Sequence, residues 1–247
     1  MNKTINQSKL LSITALVAVA WLWLPTAAAQ AVPEPESDKW NYLVAPYLWA
    51  TAIDGTVGTR GGQTEVDASF SDLIDVLDVA FALRFEAQKG QWGYFLDGFY
   101  AKLEADTPTQ AGNVRVENKM RIFEGGGIYE INPKVQALFG LRTQGIDVDI
   151  DFPGLGSASG DEDWVDGFVG LRFIPVRGEK WFLSLRGDIG AGDSDSVLNG
   201  VISAGYRFNK TWSLIGAYRV MSTDYSEGDF KWDIDMSGLG LALGISF

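Results

Sequence analysis

The sequence predicts an all-β chain, a single closed antiparallel β-barrel of about ten strands that crosses a membrane. Three observations support this fold class. Segments with an apolar residue at every second position recur from residue 40 to the carboxy-terminus, short and long connections alternate between them, and aromatic residues collect beside the short connections. Eight strands would follow if one hairpin were a loop excursion, and twelve if two short polar segments also spanned.

The start of the chain has the pattern of an export signal. Two lysines precede an uncharged run over residues 10–24, which a proline and several small residues follow. This order predicts a signal peptide over residues 1–29, cut after Ala29 or Ala31. The alternative is an uncleaved anchor, but the run is shorter than the ~18 apolar residues that a spanning helix needs.

The region after the predicted cleavage site is acidic and large enough for one domain. Residues 30–39 are rich in proline and glutamate and predict a disordered lead-in, and residues 40–247 predict the barrel. The 247-residue chain has a net charge of −12, and cleavage removes two lysines, so we expect no nucleic-acid partner. The chain has no cysteine, and it has no histidine, the usual general base of serine hydrolases. We therefore expect a protein that is not an enzyme and needs no cofactor.

The alternating segments predict the strands in chain order. In the segment over residues 79–88, Val79 and Phe81 share one face, and Arg84 and Glu86 share the other. Each segment is long enough for the ~9–11 residues of a tilted spanning strand. Backbone groups in hydrocarbon must all be paired, so the sheet is expected to close on itself. The predicted strands are 40–52, 78–89, 91–104, 113–131, 134–150, 163–176, 180–192, 196–208, 211–225 and 230–247.

The connections are short at one end of the predicted barrel and long at the other, which is typical of membrane barrels. The predicted short turns are 89–91, 132–134, 177–180 and 209–210, and the predicted long loops are 53–78, 105–113, 151–162, 193–196 and 226–229. Within the first loop, residues 55–60 and 63–69 predict a hairpin, and residues 69–77 predict a short amphipathic helix that begins after Ser69. The glycines at 125–127 are expected to let the sheet bend.

Large aromatic side chains lie next to the predicted short turns. Such rings sit at the level of lipid headgroups, whereas the core of a soluble sandwich has no reason to gather them at one end. The predicted membrane belt consists of Trp40, Trp92, Tyr94, Trp181, Trp212 and Phe247. The alternative is a soluble barrel that carries an apolar ligand, and it would need its large apolar side chains inside.

The strand alternation places five acidic residues and five arginines on the inward face. One interpretation is a narrow pore whose ring of charges sets the selectivity for small solutes. The other is a network of ion pairs that fills the lumen, because a barrel of about eight strands is already filled by its side chains. The predicted lumen charges are Arg84, Glu86, Asp97, Glu124, Arg142, Asp166, Arg172, Arg186, Asp188 and Arg219.

A run of alternating aspartates is the one candidate metal site in the sequence. Asp147, Asp149 and Asp151 share a face, and the acidic residues 161–163 are expected to lie across the loop. Carboxylates at this spacing could hold Ca²⁺ or Mg²⁺ and bridge the loops to lipid phosphates. The simpler interpretation is a solvated, acidic end of a loop.

Several stretches resemble a large, mostly uncharacterised family of proteobacterial outer-membrane β-barrel proteins, of the small porin-like kind. They are NYLVAPYLWATAIDGTVG (41–58), VDASFSDLIDVLDVAFALRFEAQKGQWGYFLDGFY (66–100) and DEDWVDGFVGLRF (161–173). The likeness covers most of residues 40–247. The carboxy-terminus, with Leu243, Ile245 and Phe247 at alternate positions, resembles the signature that the barrel assembly machinery reads in such proteins. The resemblance implies a location in the outer membrane of a Gram-negative cell, with that machinery and membrane lipids as partners, and it implies no catalytic residues.

These observations predict a monomeric barrel with its termini in the periplasm. The expected function is a structural or small-solute-permeation role. The alternative from a different class is a surface protein that binds a partner or cations through acidic loops. The sequence gives no solute and no protein partner beyond the assembly machinery.

Overall fold

The computed structural model describes residues 39–59, 62–109, 112–152, 154 and 156–247. The predicted signal peptide, and the lead-in except for Lys39, lie outside the described residues. The elements are β1 (Asn41–Thr59), β2 (Gly62–Ala68), α1 (Phe70–Asp75), β3 (Leu77–Lys89), β4 (Trp92–Thr109), β5 (Gly112–Asn132), β6 (Val135–Phe152), β7 (Gly156–Arg177), β8 (Trp181–Gly192), β9 (Ser196–Arg207), β10 (Trp212–Glu227) and β11 (Phe230–Ser246). Within these ranges, no helix is long and apolar enough to cross a membrane.

Ten of the strands form a closed antiparallel barrel. Neighbours in sequence pair from β3 to β11, and β1 closes the ring by pairing with both β11 and β3. At the closure, the amide of Tyr42 donates to the carbonyl oxygen of Phe247 (2.9 Å), and the amide of Phe247 donates back (3.1 Å). The predicted fold class, a closed antiparallel barrel of about ten strands with one short helix, is confirmed.

The two ends of the barrel differ. One end, here called the terminal end, holds the first and last strand residues and the turns at 90–91, 133–134, 178–180 and 208–211. The opposite end, here called the rim end, holds the β1–β2 hairpin and α1. Ser69 begins α1 as predicted: its hydroxyl accepts from the amide of Asp72, and its amide donates to the Asp72 carboxylate (2.9 Å), which is a capping box. The predicted hairpin and helix are both present, although α1 ends at Asp75 because β3 begins two residues later.

The prediction of long loops at residues 105–113 and 151–162 was wrong. β4 continues to Thr109 and pairs with β5 from Gly112, and β6 continues to Phe152 and pairs with β7 from Gly156. The charges in these stretches indicated loops in the sequence. In the structure these stretches are paired strands, with Asp106, Asp151 and Asp161 exposed on the outer face and Glu162 on the inner face, where it accepts from Tyr225 (3.4 Å). The ladder continues past the apolar part of the wall.

The wall has opposite polarity in its two halves. In the half nearer the terminal end, apolar side chains face outward; Leu171 and Leu241, for example, are each 55% exposed. In the half nearer the rim end, charged side chains such as Arg121 and Asp163 face outward while Trp164 is buried inside. The soluble-barrel alternative requires large apolar side chains inside along the whole length, and the outward leucines contradict it.

One seam in the wall lacks a full ladder. β1 pairs with β3 only from Asn41 to Pro46, and β1 meets β2 from Ile53 onward. Among the described residues, β1 residues 47–52 therefore have no ladder partner in β3, and we call this gap between β1 and β3 the seam. Side chains cover it from inside: the Tyr47 hydroxyl donates to Asp97 on β4 (2.9 Å), and the Trp49 ring packs edge-on against Phe99 of β4 (5.3 Å).

Candidate functional site in the barrel lumen

The centre of the lumen holds a carboxylate shared by three arginines. Glu124 on β5 accepts hydrogen bonds from Arg142 Nε (3.1 Å), Arg186 Nη2 (2.9 Å) and Arg219 Nη2 (2.7 Å). The arginines come from β6, β8 and β10, so the contacts cross the lumen. Glu124 is buried. A single buried anion thus links four strands.

A second carboxylate binds two of the same arginines. Asp188 on β8 accepts from Arg142 Nη2 (2.7 Å), Arg186 Nε (2.7 Å) and Asn199 Nδ2 (2.7 Å). Charge-assisted hydrogen bonds of this length are the strong kind, and buried charges need such partners. Because Asn199 also accepts from Arg219 Nε (2.9 Å), the polar contacts continue to β9 and β10.

The ion pairs extend toward the terminal end. Glu86 on β3 binds Arg84 (2.6 Å) and Arg172 of β7 (2.7 Å), and Arg84 reaches Asp97 (3.3 Å). Arg219 lies 3.9 Å from Asp97, which joins this group to the central one. Nine of the ten predicted lumen charges are therefore connected in one set of ion pairs, here called the lumen network.

The tenth predicted residue is placed differently. Asp166 is buried on β7, and its carboxylate accepts from the backbone amide (3.0 Å) and the hydroxyl (2.7 Å) of Ser194. Ser194 lies in the connection between β8 and β9. Asp166 therefore holds a turn at the rim end instead of joining an arginine.

Sequence reasoning missed a further polar cluster near the terminal end. Glu130 accepts from Gln88 (3.2 Å), Gln136 (3.1 Å) and Arg177 (3.2 Å). Glu130 lies six residues after Glu124 on the same face of β5, so the alternation could have found it. Arg177 could not be found in this way, because an irregularity in the β7–β8 register after residue 173 reverses the alternation.

Above the lumen network, the rim half of the lumen is filled by an apolar core. Trp164 stacks on Tyr225 with ring centroids 4.6 Å apart, and Trp232 packs beside it at 6.1 Å. At this level, polar contacts across the lumen join Gln144 to Thr223 (3.3 Å) and Tyr225 to Glu162 (3.4 Å). The buried members of the core are Trp49, Ile53, Ala82, Phe99, Met120, Ile122, Ile146, Trp164, Val197, Met221, Tyr225, Trp232, Ile234 and Met236.

Below the lumen network lies a cavity of about 290 Å³ that extends toward the terminal end. Its lining runs from Asn41 and Ser246 near the turns to Trp49 and Arg219 at the level of the network. One wall consists mainly of small and apolar side chains from β9, β10, β11 and β1, with Arg207 and Arg219 at its two ends, and the opposite wall carries Arg84, Arg172 and Arg186. The lumen is thus filled by the apolar core near the rim end and contains a cavity near the terminal end.

The three aspartates of the candidate metal site lie on the outer face of the wall near the rim. Asp147 and Asp163 both pair with Arg121, and Asp149 lies 3.8 Å from Lys119. Within the described ranges, no group of three or more acidic side chains is arranged to hold a metal ion. Asp151 pairs in register with Arg115 of β5. The structure thus surrounds these carboxylates with cations, and the metal site stays a prediction that the geometry does not favour.

The residues of the predicted membrane belt form an outer ring at the terminal end. Trp92, Trp181 and Phe247 are the most exposed of them, and Trp40, Tyr94 and Trp212 are partly covered by neighbours. Phe247 stacks on Tyr42 of β1 (5.3 Å). The residues of the predicted assembly signal, Leu243, Ile245 and Phe247, lie along the outward face of β11, whose edge closes the barrel. Their roles in the membrane and in assembly stay predictions.

The chain is similar in fold to solved structures of bacterial surface barrels. The outer membrane protease OmpT of Escherichia coli matches with 12% identity over 87% of this chain and 99% of its own, with a TM-score of 0.48. Ail, the attachment invasion locus protein of Yersinia pestis, matches with 11% identity over 85% and 100%, with a TM-score of 0.39. Neisserial surface protein A matches with 11% identity over 84% and 97%, with a TM-score of 0.37. No family model and no curated protein matches the sequence.

Proposed function

We propose that this chain is an integral outer-membrane barrel that does not conduct solutes and acts as a closed structural element of the membrane. The observation that carries the proposal is the sealed lumen. The lumen network links strands across the barrel at mid-height, and the apolar core fills the space between it and the rim. A solute would have to break buried ion pairs and then displace packed aromatic rings.

The outer surface supports the membrane location. Along β4, outward residues are apolar or small from Trp92 to Tyr100, and the next outward residue is Lys102. These nine residues, on a strand tilted by ~40°, rise about 20–23 Å, which is close to the ~25 Å apolar band of an outer-membrane barrel. The exposed aromatic ring marks its lower boundary, and the outward ion pairs of β4 to β7 mark its upper boundary. In this orientation the terminal end faces the periplasm.

The lumen carboxylates also favour a non-enzymatic role. Glu86, Glu124 and Asp188 each accept hydrogen bonds from at least two arginine side chains. A carboxylate engaged in this way is a poor general base, because its lone pairs are occupied and its charge is neutralised. The arrangement suits a permanent structural network of ion pairs better than a proton-transfer site.

Planar-bilayer recording of the refolded protein tests this proposal. We expect no discrete current steps from the wild type, under conditions in which a general porin conducts. Insertion is verified separately by protection of the protein from protease in vesicles. Current steps whose size changes in Arg142→Gln or Arg172→Gln would refute the proposal and favour the permeation role.

A further inference from the structure

We infer that the cavity below the lumen network is a binding site for a small amphiphilic anion, a carboxylate or sulfonate with a short apolar body. The inference rests on the proposed function in one respect: the membrane orientation proposed there means that the ligand would enter the cavity from the periplasm. The cavity has a volume of about 290 Å³. That volume lies at the small end of the range for ligand pockets.

The two walls of the cavity differ in chemistry. Leu43, Ile215 and Ala217 represent the apolar wall, which has few groups that could bind water well. Arg84, Arg172 and Arg186 face it from β3, β7 and β8, whereas Arg207 and Arg219 end the apolar wall below and above. The complete lining holds five arginines and two carboxylates, those of Glu86 and Asp97. Both carboxylates already accept from arginine or tyrosine side chains. Arginines of the lumen network are also paired with Glu124 and Asp188, so the positive charge of the lining that no described carboxylate offsets is that of Arg207.

One arginine of the lining has donors to spare. No carboxylate of the described residues lies within ion-pair distance of Arg207, which ends β9 at the mouth of the cavity. Its Nη1 donates to the carbonyl oxygen of Gly178 (2.9 Å), and its guanidinium stacks on the ring of Phe182 (4.7 Å). Since a guanidinium has five N–H donors in a planar fork, most of them remain available to an anion.

A hydroxyl that could turn toward the same anion lies beside this arginine; at present it donates a long hydrogen bond to the carbonyl oxygen of Gly244 (3.5 Å). Ser213 on β10 is the register partner of Arg207, and its side chain also lines the cavity. An anionic head bound by the guanidinium would thus contact a hydroxyl on the neighbouring strand. From there, an apolar body would run up the wall past Ile215 and Ala217, which are the next inward residues of β10. Because the polar residues and the apolar residues follow one another along β10, the ligand that fits has an anionic end and an apolar end.

The experiment uses the full barrel in nanodiscs of zwitterionic lipid, with empty nanodiscs as the blank. The probe is 4-(trifluoromethyl)benzoate, observed by ¹⁹F NMR, and the neutral comparison ligand is 4-(trifluoromethyl)benzamide. We expect saturable binding of the benzoate and at least tenfold weaker binding of the benzamide. Arg207→Gln should weaken benzoate binding at least tenfold, and Ala217→Phe, which fills the cavity, should abolish binding of both ligands.

The matched control is Lys210→Gln, which removes the same charge in the neighbouring turn, outside the cavity lining. It should bind the benzoate as the wild type does. The inference is overturned if the wild type shows no saturable binding, if the benzamide binds equally well, or if Arg207→Gln leaves the affinity unchanged. If Ala217→Phe does not fold, the results with Arg207→Gln and with the benzamide still test the inference. A conducting barrel that binds the benzoate would refute only the proposed function, and a silent barrel that does not bind it would refute only this inference.

Discussion

Replacing Glu124 by glutamine tests whether the lumen network holds the barrel together. The change keeps the size of the side chain and removes one negative charge. In the wild type, the carboxylate is buried and receives hydrogen bonds from Arg142, Arg186 and Arg219. In the variant, three guanidinium groups would surround a neutral amide. The two N–H protons of that amide would point at the guanidinium donors instead of at acceptors.

The size of the effect follows from the burial of these charges. Removing one partner of a buried ion pair costs about 3–5 kcal/mol, because an uncompensated charge is left behind. We expect the lower part of this range, since Asp188 still binds Arg142 and Arg186. Adding Arg219→Met to the glutamine variant removes the cation that keeps only a 3.9 Å contact with Asp97, and it keeps most of the side-chain volume. The double variant should therefore recover part of the lost free energy of unfolding.

Urea unfolding of the barrel in lipid vesicles, followed by tryptophan fluorescence, measures these differences. Glu117→Gln is the matched control: it makes the same chemical change in an outward ion pair with Lys102 and Lys119 near the rim. Solvated pairs of this kind contribute little, so we expect no measurable change there. Equal unfolding midpoints for Glu124→Gln and Glu117→Gln would refute the view that the network is a structural strut.

Three further predictions concern the wall and the rim. A Cβ at Gly126 would collide with the backbone of β6, so Gly126→Ala should lower the free energy of unfolding by about 1–3 kcal/mol in the same urea assay. The control is Gly187→Ala, which should be nearly neutral because a Cβ there meets nothing within 4 Å. The hydroxyl and the amide of Ser69 lower the pKa of Asp72. The cap of α1 should therefore be intact above about pH 3.9 and be lost as the pH falls through the lowered pKa. In an NMR titration, Ser69→Ala should raise the pKa of Asp72, and an unchanged pKa would contradict the capping box. Backbone amides at the seam should exchange hydrogen faster than those of the β5–β6 ladder in nanodiscs, and equal protection would show that the seam is paired in the membrane.

The barrel itself could be predicted because side-chain alternation is a local property. On β3, a period of two places Arg84 and Glu86 on the same side, and the structure brings them together at 2.6 Å. Which cation meets which carboxylate across the lumen depends on the register of strands far apart in sequence. The link between Glu124 and Arg219, separated by 95 residues, had no local signal.

The rim half shows where alternation becomes ambiguous. Along β7, Trp164 and Arg172 share the inward face, yet one lies in the apolar core and the other in the lumen network. The period is the same in both halves, and only the identity of the solvent outside the wall changes. The acidic stretch at residues 151–162 therefore indicated a loop, although a strand that is exposed to water can carry charge on its outer face without losing its ladder.

The lumen network also specifies the register of the wall. A slip of one residue turns every side chain of a strand to the opposite face. On β6, such a slip would turn Arg142 toward lipid near mid-membrane, which costs about 2–4 kcal/mol, and would leave Glu124 and Asp188 with one cation fewer. An apolar lumen would impose no such penalty, since an aliphatic side chain is tolerated on either face in hydrocarbon. The buried charges thus favour one closed barrel over its slipped alternatives, which would account for a charged lumen in the closed, non-conducting barrel that we propose.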